Sequence, residues 1–106
     1  MPKYLATYDL EKTRPDPHPI FLAKAEARGW STWTKTTDGI WYKLPNTTLI
    51  GSFNTLEEAV SAFKGARTAA QRAILGQVNL EKWIVAQKGR GQCESDEKEY
   101  SNPDGS

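Results

Sequence analysis

Lys3-Tyr4-Leu5-Ala6-Thr7-Tyr8-Asp9-Leu10 opens the ordered part of the chain with an aromatic and β-branched run that reads as a strand. Period-two geometry puts Tyr4, Ala6, Tyr8 and Leu10 on one face and Leu5, Thr7 and Asp9 on the other. One face is made for a core, and Asp9 ends the strand on the opposite side. The strand is closed by the charged, proline-rich Glu11 to Pro19. No regular element survives Pro15-Asp16-Pro17-His18-Pro19, but Asp16 or His18 ahead of a proline suits the first turn of a helix. Phe21, Leu22 and Ala25 follow at helical spacing, and Gly29 supplies a left-handed stop, so a first helix is expected over 18–28.

Between Trp30 and Phe53 the pattern changes to threonines interleaved with Trp33, Ile40, Trp41, Tyr42, Leu49, Ile50 and Phe53. Asp38-Gly39 is a two-residue hairpin signal flanked by Trp33–Thr37 and Ile40–Leu44, with a further strand at Thr48–Phe53. The same dipeptide also fits a bulge within one bent strand. Thr55 and Glu58 form a capping box that starts a second helix over 55–75. Its expected apolar stripe is Leu56, Val60, Phe63, Ala66, Ala70 and Ile74, and Gly76 is its expected end. Leu80 to Gln87, centred on Trp83, Ile84 and Val85, reads as the last strand.

The succession strand, helix, hairpin, helix, strand is satisfied most simply by two right-handed crossovers sharing one antiparallel sheet. The expected fold is α+β, a ferredoxin-like βαββαβ domain over residues 1–87 with both helices on one sheet face. An extra strand in the 31–53 meander is the open point. Residues 88–106 are polar and charged, with too few apolar groups to offset the entropy of ordering, and are expected to form a disordered tail.

The composition, 38% hydrophobic and 25% charged, is that of a globular protein with room for one core in 106 residues. No run approaches the roughly 20 apolar residues that span a bilayer, and the first residues do not resemble a secretion signal; no membrane association and a cytoplasmic location are expected. Cys93, the only cysteine, lies far along the chain from His18, the only histidine, which leaves neither a disulfide nor a Cys/His zinc site. Residues 1–87 carry eleven Lys/Arg against eight Asp/Glu, and residues 88–106 three against five. The body is mildly basic and the tail acidic. No Gly-rich phosphate loop, nucleophile elbow or RNA-recognition consensus occurs.

The order of elements also carries a family resemblance. A first strand ending Thr7-Tyr8-Asp9-Leu10, a charged turn, a helix, a strand with Ile40-Trp41, a Thr/Glu-started helix and a final apolar strand resemble the superfamily of small CRISPR-associated ribonuclease and integration subunits. Virulence-associated protein D and the SinR-like proteins belong to the same wider group, and the likeness covers residues 3–87. It implies a homodimer formed through the sheet and a strand-end aspartate, here Asp9, that can hold Mg²⁺ for RNA cleavage. Pro15, Pro17 and Pro19 depart from the group's basic turn, and several members of the group lack nuclease activity.

On chemistry alone, Asp9 is a rigidly placed carboxylate suited to share a hydrated Mg²⁺ with a second copy. One carboxylate is too few for a tight site by itself, and Asp9 is better suited to cap the turn and meet Lys12 or Arg14. His18 is the residue type most used for acid–base work near neutrality, and as a residue between prolines it also suits a helix start. Lys12, Arg14 and Lys35, with Trp33, Trp41 and Tyr42, are the types that single-stranded RNA recognition uses: cations for phosphates and ring faces for bases. The same aromatics also serve a core or a dimer interface. Two functions are thus expected as alternatives: an RNA-binding or RNA-cleaving homodimer with Asp9 as catalytic and metal residue and Lys12, Arg14, Trp33 and Lys35 as RNA contacts, or a non-catalytic protein-interaction module.

Overall fold

The computed structural model describes residues 1–103. Nine elements follow in order: β1 (Lys3–Leu10), α1 (His18–Glu26), β2 (Trp30–Ser31), β3 (Trp33–Lys35), β4 (Trp41–Lys43), β5 (Thr48–Ser52), α2 (Leu56–Ile74), β6 (Leu80–Gln87) and β7 (Lys98–Glu99). They build two antiparallel sheets, one of four strands in the order β2-β5-β1-β6 and one of three in the order β3-β4-β7. This is an α+β architecture compatible with a ferredoxin-like arrangement, but not a plain βαββαβ succession. The 30–53 region divides into four short strands shared between the two sheets.

β1 lies inside the larger sheet because its alternation lets it serve a core with one face while both edges find partners. Ala6 pairs with Leu49 of β5 on one side and with Val85 of β6 on the other. Tyr4, Ala6, Tyr8 and Leu10 are all buried, as the period-two reading requires. Over them lie Phe21 and Ala25 of α1 and Ala59, Phe63, Ala66 and Ala70 of α2. Phe63 is the hub: its ring meets those of Tyr8, Phe21, Trp30 and Trp83 at centroid distances of 5.6 to 6.3 Å. At Gly51 an added Cβ would stand 2.7 Å from the Gly29 carbonyl oxygen and from Phe53, so only glycine lets β2 and Phe53 close on β5.

The capping box forms with one shift. Thr55 accepts the Glu58 N–H at 3.1 Å, whereas the Glu58 carboxylate reaches back to the Asn54 N–H, also at 3.1 Å. The buried side of α2 runs through Ala59, Phe63, Ala66 and Ala70, so the expected stripe is out of phase at its start. Leu56 is 44% exposed, and with Val60 it borders a shallow groove on the outer side of the helix. The small alanines win the inner face because α1 packs there. The C-terminal stop also differs from expectation: Leu75, not Gly76, takes the left-handed conformation (φ 52°), and the Gly76 N–H bonds to the Gln71 carbonyl. Leu75 can sit there because it is 92% exposed and packs against nothing.

α1 starts at His18 with Pro19 in its first turn, as expected, and has no side-chain N-cap because the capping position falls on Pro17. Asp16 instead accepts the His18 N–H from one residue further out, at 3.1 Å. The polar tail is not wholly without structure: β7 pairs with β4, placing Lys98 opposite Tyr42 and Glu99 opposite Trp41. Asp104 to Ser106, the end of the expected tail, lie outside the described residues. Among the described residues no helix is long and apolar enough to cross a membrane.

Candidate nucleic-acid interface

The smaller sheet begins where the chain leaves the larger one. The Ser31 hydroxyl accepts the Trp33 N–H at 3.0 Å, and the Leu44 N–H closes the base of the hairpin on the Thr32 carbonyl at 2.8 Å. At the tip, the Gly39 N–H returns to the Thr36 carbonyl and the Thr36 N–H to the Ile40 carbonyl, both at 3.0 Å. These bonds define a three-residue loop with Gly39 at φ 84°, a type I turn followed by a left-handed residue, where the sequence suggests a two-residue turn. Asp38 holds the loop by accepting the Thr36 hydroxyl and the Ile40 N–H. Those two bonds, the hydroxyl's first, hold its carboxyl below the usual range.

The register of this hairpin is what gives it chemistry. Trp33 faces Lys43 across the strands and Lys35 faces Trp41, so two tryptophans and two lysines share one sheet face in a diagonal pattern. Lys43 Nζ lies 5.2 Å from the centre of the Trp33 ring, and Lys35 Nζ lies 5.9 Å from that of Trp41. Each such contact is worth about 0.5–1 kcal/mol at an exposed site, which orders the lysine stems without neutralising their charge. Both indoles are half-buried, and Tyr42 repeats the motif on the opposite face with Lys98 at 5.9 Å. The third strand adds Glu99 beside Trp41, and the Lys43 N–H bonds to the Glu97 carbonyl at 3.0 Å. The face therefore reads, row by row, Trp33-Lys43-Glu97 and Lys35-Trp41-Glu99.

Of the residues singled out in the sequence, Trp33 and Lys35 come together here with Trp41, and Lys43 completes the set. Lys43 could have been found by extending the alternation of 41–43 across the Asp38-Gly39 turn. Trp83 belongs elsewhere, on β6 against Phe63, with Lys64 Nζ 5.4 Å from its ring.

Lys12 and Arg14 form a second group, in the loop between β1 and α1, where they border a shallow groove with Asp16 and His18. Asp16 meets His18 Nδ1 at 2.8 Å. The His18 backbone N–H, then its side chain, keep the Asp16 carboxyl below its ordinary range.

Asp9 is exposed at the end of β1, opposite Lys82 of β6. Among the described residues it makes no ion pair with Lys12 or Arg14. Nor do three His, Cys, Asp or Glu side chains gather anywhere among the described residues. A single carboxylate facing an ammonium group does not make a Mg²⁺ site within one chain. No family model matches this chain, and no curated protein or solved structure does either.

Proposed function

We propose that this protein is a single-stranded RNA-binding module whose contact surface is the Trp33, Lys35, Trp41 and Lys43 face. The observation that carries the reading is the diagonal pairing of two indoles with two lysines on one half-exposed sheet face. Bases stack on indoles whatever their identity, and ammonium groups about one nucleotide step away suit the phosphates between them. We further read the larger sheet as a ferredoxin-like core, β1-α1-β2-β5-α2-β6, into which the β3–β4 hairpin is inserted. On this reading the hairpin, which belongs to the separate β3-β4-β7 sheet, is the part of the chain that meets the ligand.

Titration of a labelled oligouridylate against increasing salt tests the reading. Trp41→Ala should weaken binding by about 1–3 kcal/mol, and replacing Lys35 and Lys43 by glutamine should lower the salt slope by about 1.4. Binding that neither change affects would place the RNA elsewhere or nowhere on this protein.

The exposed β1–β6 part of the larger sheet's face away from the helices supports the homodimer as part of the same proposal. It carries Leu5, Ala86 and Ile84, the last 57% exposed, beside Asp9 and Lys82. Only a two-fold pairing across this face would bring two Asp9 carboxylates within reach of one cation. Asp9→Asn should then remove any Mg²⁺-dependent cleavage of the oligonucleotide, and a monomer by light scattering would leave binding as the sole activity.

A further inference from the structure

We infer that the acidic tail is an intramolecular competitor for the RNA on this face, an inference that rests on the RNA-binding reading above. β7 extends the smaller sheet by two residues only, and both are exposed. Its hydrophobic contribution is negligible. The pairing nevertheless positions charge with care, because antiparallel alternation puts Glu97 and Glu99 on the same face as Lys43 and Trp41 and turns Lys98 away to Tyr42. The carboxylates thus stand at the ends of the two cation and indole rows, where the phosphates of a strand stacked on Trp33 and Trp41 would run. Glu94 and Asp96 continue the negative charge along the same segment, against Lys43, Leu44 and Pro45.

Among the described residues neither Glu97 nor Glu99 closes an ion pair, so each lowers the positive potential of the face without locking the lysines. A segment held by so few backbone bonds and so little buried surface opens at low cost. A single strand that supplies its own phosphates can therefore displace it. The tail raises the threshold for weak or short ligands and yields to a strand long enough to engage both rows.

The test uses the whole 106-residue chain and its Glu97→Gln, Glu99→Gln double variant, titrated at low salt with a labelled oligouridylate. The variant keeps the strand geometry but loses two charges and should bind about tenfold more tightly, a difference that shrinks as salt rises. In parallel, the Lys43 amide, whose partner is the Glu97 carbonyl, should show modest protection from hydrogen exchange in the free wild-type protein and lose it at saturating oligonucleotide. Equal affinities, or Lys43 protection that persists in the complex, would overturn the competitor role and leave the RNA-binding reading standing. Absence of binding in both proteins would overturn that reading and this inference with it.

Discussion

Replacing Phe63 by alanine probes the core without touching the hairpin, and its cost follows from the packing. The residue has no exposed surface, and four aromatic rings surround it. Tyr8, Phe21 and Trp30 are themselves buried and cannot move inward, so only Trp83, which is 40% exposed, has freedom to fill the void. A Phe→Ala change in a core costs about 3–5 kcal/mol, more where the site collapses poorly. With a single mobile wall, a loss of about 4 kcal/mol is expected. In a domain of this size that corresponds to a fall in Tm on the order of 15–30 °C. Urea unfolding followed by far-ultraviolet circular dichroism, with Phe63→Leu as an intermediate, measures it directly. Trp41→Ala, made in the half-buried hairpin, should cost less than about 1.5 kcal/mol while weakening RNA binding. A Phe63→Ala loss below about 1.5 kcal/mol would refute the aromatic hub, and equal losses for the two variants would refute the division between core and interface.

Leu75→Gly should stabilise the protein by about 0.5–1 kcal/mol, because it relieves a left-handed residue that buries no side chain; a higher midpoint in the same urea titration checks it, and a lower one would show that Leu75 contributes contacts. Burial pushes the Tyr8 phenol up to about 12. Since its folded pKa lies above the unfolded value, the folded state holds the proton more firmly. The corresponding stability is complete below about pH 10 and is lost as pH rises toward 12. Ultraviolet difference titration, with Tyr8→Phe to identify its signal, should show the Tyr8 phenol ionising late and together with unfolding, whereas a Tyr8 signal that appears near pH 10 in the folded protein would contradict its burial.

Where the chain's instructions are local, the sequence alone determines the outcome. The alternation of residues 3–10 already separates the buried Tyr4, Ala6, Tyr8 and Leu10 from Asp9, because side chains on a strand have only two directions to take. Thr55 and Glu58 mark the start of α2, and Leu80–Gln87 is a strand with the expected limits, since capping and β-branched packing act over a few residues. The two-helix α+β class follows from that order. Long-range partners are another matter. β7 has no apolar pattern to announce it, for its pairing rests on backbone bonds between residues more than fifty positions apart. Lys43 joins Trp33 only through the hairpin register, and the inner side of α2 moves to its alanines because α1 needs a close approach there. The candidate interface was therefore visible as residue types but not as a surface. Which lysine meets which indole, and which carboxylates stand beside them, was decided by tertiary pairing, because register couples distant residues that no local propensity connects.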